Sequence, residues 1–347
     1  MYHSAPILRI WFDILTPKQV LFFEPMIKRL QKNNRILCTS RNYREVVALA
    51  RLKGMKMEFV GRHGGADKAT KLTASLNRMI TLAERIQRFG PDLTISFCSP
   101  EASRISYGLG IRHIAFCDSP HAEAVMRLSV PLVQKLLIPW IIPKEEFVRF
   151  GIAKKDIIPY KAIDAAVIVR NTKKCRYHGK LKKTILIRIE EEQAAYARSD
   201  YKKISDIINR IASKFTDEDV VVLPRYKQQV SVLKREFGSK IKILDKVTIG
   251  SDLLQNTDVF VGSGGTMTAE AALFGIHTIS YNAVPNLVLN YLVRKKLVHL
   301  QPDPAKITNL VARLLHSDKD TVRARAKNTL MSMEDPIETL IGTIKSK

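Results

Sequence analysis

The sequence predicts an α/β protein made of two consecutive Rossmann-like domains, each around a parallel sheet, facing each other across a cleft. Three observations predict it. Short β-type runs alternate with helical patterns of ten or more residues along most of the chain, the signature of βαβ units. The alternation breaks once, in a basic stretch without periodicity near residues 166–183, and then restarts. At 347 residues the chain is too long for one ordinary core and suits two of roughly 150–200 residues.

In the first half, Ile7–Leu15 reads as a strand and Val20–Leu30 as a helix. Arg35–Ser40 reads as a strand, Tyr43–Lys53 as a helix and Lys56–Gly61 as a strand. Lys71–Phe89 repeats apolar residues at helical spacing, which predicts Leu72, Leu76, Met79, Ile80, Ala83 and Ile86 on one face of a helix. Gly90-Pro91-Asp92 turns the chain into the strand Leu93–Cys98, and a helix opens at Ser99-Pro100. Arg112–Cys117 is the next strand, with a second helix opening near Asp118-Ser119-Pro120. Ser before Pro at both junctions is the pattern of an N-cap with Pro at the first helical position.

The basic, aperiodic stretch around Ala165–Lys183 reads as an inter-domain linker or exposed loop. Thr184–Ile189 is then a strand, Tyr201–Phe215 a helix, Val220–Leu223 a strand and Lys227–Phe237 a helix. Lys240–Leu244 and Asp258–Val261 are strands, Thr266–Phe274 a helix and His277–Tyr281 a strand; helices fill the C-terminal residues. The predicted organisation is a first domain over 1–165, a linker over 166–183, a second domain over 184–320 and C-terminal helices over 321–347 that can pack back on the first domain.

Composition limits the function classes. Hydrophobic residues make up 46% of the chain, yet no apolar run reaches the roughly 18–20 residues that span a bilayer. The most apolar stretch, Leu128 to Pro143, contains Gln134, Lys135 and three prolines, and reads as strand and core. No secretory signal pattern opens the sequence, so a cytoplasmic protein is expected. Cys38, Cys98, Cys117 and Cys175 form no C-x-x-C pair and read as small hydrophobes in a reducing compartment. The net charge of +24 is spread evenly, +13 over residues 1–170 and +11 over 171–347. Without a basic arm or a binding module, nucleic acid is not the expected partner. The charge fits solubility, attraction of an anionic substrate, or docking on an anionic membrane surface.

The strongest motif is Asp258-Val-Phe-Val-Gly-Ser-Gly-Gly-Thr266, followed by Glu270. A buried strand runs into Gly262-Ser263-Gly264-Gly265, and a helix starts at Thr266. Glycines allow a tight turn and close approach of a ligand. The unpaired N–H groups and the dipole of the helix then favour a diphosphate. Glu270, about one turn in, could bind the two hydroxyls of a ribose. At the first-half junctions Glu101, Asp118, His121 and Glu123 fall at strand carboxyl ends, where an imidazole or carboxylate could act as general base. Arg62-His63-Gly64-Gly65 reads as a flexible loop able to close over a substrate. Arg188 and Arg225 fall at strand ends where cations could pair with phosphate. No metal-ligand cluster, nucleophile elbow or P-loop is present, and Asp217-Glu218-Asp219 reads as a solvated turn.

With these residues quoted, the chain resembles the DUF354 family. The resemblance rests on Trp11-Phe-Asp-Ile14, Phe22-Phe-Glu-Pro25, Gly61-Arg-His-Gly-Gly65, Ser99-Pro-Glu-Ala-Ser-Arg104 and Asp118-Ser-Pro-His-Ala-Glu123 in the first half. In the second half it rests on Ile187-Arg188, Leu223-Pro-Arg-Tyr-Lys-Gln228 and Gly262-Ser-Gly-Gly-Thr-Met267. That family is similar to the peptidoglycan glycosyltransferase MurG and to non-hydrolysing UDP-GlcNAc 2-epimerases. The resemblance implies a GT-B fold, diphosphate contacts from Ser263, Gly264, Gly265 and Thr266, and a ribose held by Glu270. The epimerase likeness falls on Glu123 and Arg127-Leu128. Two departures stand out. Thr16 to Leu21 lacks the histidines usual in the family's first loop, and Ile187 stands where the epimerases carry histidine.

The expected function is a metal-independent, cofactor-free glycosyltransferase using a nucleotide-sugar donor. Its acceptor base is among Asp118, His121 and Glu123, and its acceptor side includes Gln19, His63, Gly64, Gly65 and Arg127. The acceptor itself is open; a lipid-linked or surface glycan, with peripheral contact at the inner face of a membrane, fits the charge. Two alternatives remain: a sugar-nucleotide 2-epimerase using Glu101 and Glu123, and a non-catalytic nucleotide-sugar-binding scaffold.

Overall fold

The computed structural model describes residues 7–65, 67–173, 182–189, 201–245, 248–281 and 286–346. The chain folds as two units, Met1–Ala162 together with Glu334–Lys347, and Ile163–Met333.

Unit 1 begins with β1 (Arg9–Asp13), α1 (Pro17–Leu30), β2 (Arg35–Asn42), α2 (Arg44–Leu52), β3 (Glu58–Arg62) and α3 (Lys68–Phe89). It continues with β4 (Leu93–Ser96), α4 (Pro100–Gly108), β5 (Arg112–Phe116), α5 (Glu123–Ser129), β6 (Lys135–Pro139), the short α6 (Glu145–Val148) and β7 (Ile157–Tyr160). The seven strands are parallel in the order β3-β2-β1-β4-β5-β6-β7. The order runs outward both ways from β1 and β4, so the switch point where open α/β sheets bind ligands lies between them. Asp13 and Ser96 are register partners at that point. Because a parallel sheet is covered on both faces, its central strands are apolar on both sides. On one face Phe12, Phe22, Phe23, Phe97 and Phe116 pack edge to face. On the other, Trp11 and Leu37 pack with Leu82, Ile86, Ala102 and Ile105. The apolar stretch Leu128–Pro143 supplies β6, with Leu136, Leu137 and Ile138 fully buried.

Unit 2 holds α7 (Asp164–Arg170), β8 (Thr184–Arg188), α8 (Tyr201–Lys214), β9 (Asp219–Leu223), α9 (Lys227–Phe237), β10 (Lys242–Ile243), α10 (Gly250–Gln255) and β11 (Val259–Gly262). After these come α11 (Thr266–Leu273), β12 (His277–Ser280), α12 (Leu287–Arg294), β13 (Val298–Leu300), α13 (Pro304–Leu315) and α14 (Asp320–Met331). Its six strands are parallel in the order β10-β9-β8-β11-β12-β13, which puts its switch point between β8 and β11. The chain then returns to unit 1 as α15 (Pro336–Lys345), capped by the Asp335 carboxylate. The Arg112 guanidinium donates to the carbonyls of Thr343, Ile344 and Ser346 at 2.6–2.9 Å, tying the end of α15 to β5.

Three sequence expectations need correction. First, α3 buries only part of the expected stripe: Ile86 lies in the core with Met79 and Ala83 packed against it. Leu72, Leu76 and Ile80 are 61%, 47% and 64% exposed, while Arg78, Leu82 and Ile86 are buried. Arg78 takes an inward position because Asp13, at the end of β1, receives its guanidinium. Second, the chain does not enter a helix at Ser119-Pro120. Residues 118–122 form a turn, and α5 begins at Glu123 after Ala122. The N-cap pattern holds at Ser99, whose hydroxyl accepts from the Ala102 N–H. Third, the stretch read as linker opens with α7, buried along its length against α11. Arg170 ends α7 and donates to the carbonyls of Leu330 and Met333, which close α14. Much of the rest of that stretch, Cys175 included, lies outside the described residues; Cys38, Cys98 and Cys117 are buried thiols. Among the described residues no helix is long and apolar enough to cross a membrane.

Candidate functional site

In unit 2, β11 ends in the core and the chain turns through Ser263, Gly264 and Gly265 into α11. The glycines have different reasons to be there. A Cβ on Gly262 would stand 2.6 Å from Phe260 Cε1. Gly264 has φ of +104°, and a Cβ there would stand 2.9 Å from Leu289 Cδ2. A Cβ on Gly265 would meet nothing within 4 Å among the described residues, and Gly265 is exposed. The Thr268 hydroxyl accepts from the Gly264 N–H at 3.2 Å, and Asn286 Nδ2 donates to the Gly264 carbonyl at 3.2 Å, which fixes the turn. The N–H groups of Thr268 and Ala269 bond to the Gly265 carbonyl. Those of Thr266 and Met267 belong to the first turn, which has no intrahelical acceptors. The positive end of α11 is therefore presented at a glycine with no side chain in the way among the described residues.

Glu270 lies on the same helix, 5% exposed, and its Oε2 is buried without a hydrogen-bond partner. Burial raises its pKa to about 8, with the Arg188 charge opposing the shift. The carboxyl is therefore mostly protonated at neutral pH. Arg188 ends β8 on the other side of the switch point, and its Nη1 donates to the carbonyls of Leu223 and Pro224 at 3.3 and 2.9 Å. The Arg225 and Tyr226 N–H groups donate to Gln229 Oε1, while Gln229 Nε2 is buried with no partner. Sequence reading missed Gln229, one residue beyond the quoted motif; its place in the first turn of α9 after a strand end was the available signal.

At the carboxyl edge of unit 1 the predicted residues separate into distinct surroundings. Asp118 accepts from Lys18 Nζ and from the Ser119 hydroxyl, each at 2.8 Å, and Lys18 also lies 4.1 Å from the Phe97 ring centroid. His121 is in the following turn. Desolvation lowers its pKa, Asp118 opposing and Lys18 adding to the shift. Glu123 is exposed and pairs with Arg127 at 2.7 Å. Gln19 is buried and structural: its Oε1 accepts from the Leu15 N–H at 2.6 Å and closes the β1–α1 loop. His63 stacks on Tyr43 with centroids 5.2 Å apart, and its Nδ1 accepts from the Gly65 N–H at 3.1 Å. A Cβ on Gly64 would stand 2.5 Å from Lys71 Cα, so Gly64 packs on the start of α3.

Glu101 enters a buried network that sequence reading did not foresee. Arg78 Nη2 and Nη1 donate to the two oxygens of Asp13 at 2.6 and 3.2 Å. The hydroxyls of Ser99 and Thr39 also donate to Asp13, at 2.6 and 2.7 Å. Burial alone would push the Asp13 pKa up; Arg78 and the two hydroxyls outweigh it and hold the carboxyl below its ordinary value. Glu101 accepts from Ser75 Oγ at 3.0 Å and stands 3.6 Å from Arg78 Nη1. Asp13 and Arg78 are 65 residues apart, and no local pattern links them. Among the described residues no group of His, Cys, Asp and Glu is arranged to hold a metal.

A family model described as "Protein of unknown function (DUF354)" matches residues 8–346. The chain belongs to the DUF354 family. It is similar to the uncharacterized protein MJ0665 of Methanocaldococcus jannaschii, with 27% identity over 354 residues that cover 97% of this chain and 98% of that one. Among solved structures, UDP-GlcNAc 2-epimerase from Neisseria meningitidis bound to UDP-GlcNAc matches with TM-score 0.73 and 14% identity, covering 98% of this chain and 100% of that one. The epimerase of Methanocaldococcus jannaschii in complex with UDP-GlcNAc and UDP matches with TM-score 0.69 and 14% identity over the same shares. Spinosyn rhamnosyltransferase SpnG, complexed with spinosyn aglycone, matches with TM-score 0.61 and 11% identity, again over 98% and 100%. At these identities the likeness is one of fold: this DUF354 protein has the two-domain α/β GT-B architecture.

Proposed function

We propose that this DUF354 protein is a glycosyltransferase that takes a nucleoside-diphosphate sugar on unit 2 and an acceptor on unit 1. The observation that carries the reading is Glu270. A buried carboxyl with an unsatisfied oxygen is destabilising unless a ligand completes its hydrogen bonds. It lies on the helix whose N-terminus opens at Gly265. A diphosphate on the N–H groups of Gly265, Thr266 and Met267 leaves a ribose within one turn of Glu270. In the acid form Glu270 both donates to one ribose hydroxyl and accepts from the other. Arg188 and the dipole of α11 would stabilise the departing diphosphate without a metal. That GT-B proteins of this shape have been solved with UDP-GlcNAc or UDP supports the ligand class.

On unit 1, His121 is the base we assign to the acceptor hydroxyl. Its lowered pKa keeps the ring neutral at pH 7, so it can take a proton, and Asp118 can stabilise the imidazolium. Asp118 itself is engaged by Lys18 and Ser119, and Glu123 by Arg127, which leaves both less suited to that role. A membrane-borne acceptor fits the exposed Leu72, Leu76 and Ile80 on α3, close to Lys68 and Lys71.

An epimerase reading keeps one supporting observation, the fold likeness to two solved 2-epimerases. Product analysis separates the two. UDP-, TDP-, GDP- and CMP-sugars are screened for thermal stabilisation, and the binder is then incubated with and without candidate acceptors. The transferase reading expects release of nucleoside diphosphate that depends on acceptor. A C2-epimeric sugar nucleotide formed with no acceptor would replace it with the epimerase reading. Binding without turnover under either condition would leave a non-catalytic binder.

A further inference from the structure

The backbone of unit 2 places Arg188 at the glycine turn. Arg188 follows Ile187, the register partner of Val261, so it ends β8 beside Gly262, where the turn into α11 begins. The Tyr281 N–H donates to the Gly262 carbonyl at 3.0 Å, and the Tyr281 hydroxyl donates to the Arg188 carbonyl at 3.5 Å, which ties the two strand ends together. The backbone does not settle where the guanidinium points. A long arginine side chain loses much rotamer freedom when it is held in one direction, so something must hold it. Two carbonyls do so. Nη1 donates to Pro224 at 2.9 Å and to Leu223 at 3.3 Å, which fixes the guanidinium plane.

Leu223 is a strand residue and sits in the ladder opposite Arg188. Pro224 follows the end of β9, so its carbonyl is held by other means. The Pro224 carbonyl and the Arg225 N–H belong to one peptide unit. That unit is trans, so the two groups point to opposite edges of one plane. Arg188 takes the carbonyl edge. On the N–H edge Gln229 Oε1 accepts from Arg225 at 2.7 Å, and it also accepts from the Tyr226 N–H at 3.1 Å. Gln229 can grip this peptide because it is itself fixed, as the third residue of α9 and only 5% exposed. Its Nε2 is buried with no partner. A glutamate here would cap the helix start equally well and leave no orphan donor. It would also set a negative charge one peptide away from Arg188. The neutral amide holds the peptide and adds no charge that repels a diphosphate.

We propose that Gln229 is a positioning residue of the donor site, orienting the Arg188 guanidinium toward the diphosphate through the Pro224–Arg225 peptide. The proposal deepens the transferase reading and rests on it for the identity of the ligand. Gln229 acts on the donor only through Arg188.

The test has an arm without ligand and an arm with ligand, both on the full-length protein. In the first, 15N-arginine labelling follows the Arg188 Nε–Hε resonance, assigned by its loss in Arg188→Lys. Gln229→Met removes the acceptor and keeps the length of the side chain; the resonance is expected to move toward that of solvated arginine. Gln229→Glu keeps the acceptor, and the resonance is expected to stay near its wild-type position. Gln229→Asn, which draws the amide back by one carbon, takes the place of Gln229→Met if that variant does not fold. An unmoved resonance in the variant that lacks the acceptor overturns the positioning. In the second arm UDP, TDP and GDP are titrated alongside their nucleosides. Gln229→Met is expected to weaken the nucleoside diphosphate about fivefold, the loss of one net hydrogen bond, and to leave the nucleoside unchanged. Added to Arg188→Met it is expected to cost nothing further, the mark of one residue acting through another. Equal losses for diphosphate and nucleoside, or losses that multiply in the double variant, overturn the link to Arg188. If no nucleoside diphosphate binds the wild type and the resonance still moves as expected, the donor reading is overturned and the hold of Gln229 on Arg188 is not.

Discussion

Asp13 and Glu270 are both buried carboxyl groups close to a switch point, and their surroundings move them in opposite directions. Asp13 is held ionised by Arg78, so its contribution is present above its unfolded pKa and is lost as the pH falls. Replacing it with asparagine leaves Arg78 buried without a counter-charge. Asp13→Asn is expected to lower stability by about 3–5 kcal/mol in urea unfolding. A change within experimental error would show that the bridge is not the anchor of α3. Glu270 rises from 4.5 to about 8 on folding. Between those values the native state keeps a proton that the unfolded chain has lost. Its contribution is therefore full below about pH 4.5 and lost as the pH rises through 8, at up to about 1.4 kcal/mol per pH unit. Glu270→Gln should flatten the stability profile between pH 5 and 8; an unchanged slope would mean that Glu270 is not the group that titrates. Of these two residues the sequence singled out only Glu270, because it lies five positions past the glycine turn. Asp13 needed a partner on another element.

Helix α11 and helix α3 show what patterns reveal and what they hide. The glycine turn before α11 was readable because strand, turn and helix are contiguous. It yields a discriminating pair of substitutions. Gly264→Ala forces a Cβ against Leu289 at positive φ and should lower stability by a few kcal/mol. Gly265→Val has open space and an ordinary φ, so it should fold normally yet obstruct a ligand at the N–H groups. Equal melting temperatures for the wild type and Gly264→Ala would contradict the first part. The apolar spacing of α3 correctly predicted a helix and the inward places of Met79, Ala83 and Ile86, but it also included the exposed Leu72, Leu76 and Ile80, because a 3.6-residue repeat cannot tell a core stripe from an exposed one when an arginine is an inward residue. Leu72→Gln, Leu76→Gln and Ile80→Gln should each change stability by less than about 0.5 kcal/mol, as at other exposed positions. If the stripe contacts a membrane, the triple variant should lose binding to anionic vesicles in a sedimentation assay; unchanged binding would assign the contact to charge elsewhere.

For the whole molecule, the repeating βα pattern made both sheets legible, and the break near residue 166 came close to the point where the chain enters unit 2 at Ile163. The path back was expected only in outline, as C-terminal helices able to pack on the first domain. The C-terminal residues read as one helical block, but α14 belongs to unit 2 and α15 to unit 1. The difference lies in two arginines, Arg170 and Arg112, that donate to the carbonyls at the ends of different helices. The central claim is that unit 2 binds a nucleoside diphosphate at the start of α11. Calorimetric titration of UDP, TDP and GDP into wild type, Glu270→Gln and Gly265→Val at pH 7 tests it most directly. At 100 times Kd a ligand adds about 2.7 kcal/mol of stability, so melting curves on the same samples give an independent check. The account predicts that one nucleotide binds the wild type and that both variants, folded as judged by their melting temperatures, bind at least tenfold more weakly. Absence of binding by any of the three to wild type at millimolar concentration, or equal affinity in all three proteins, would contradict it.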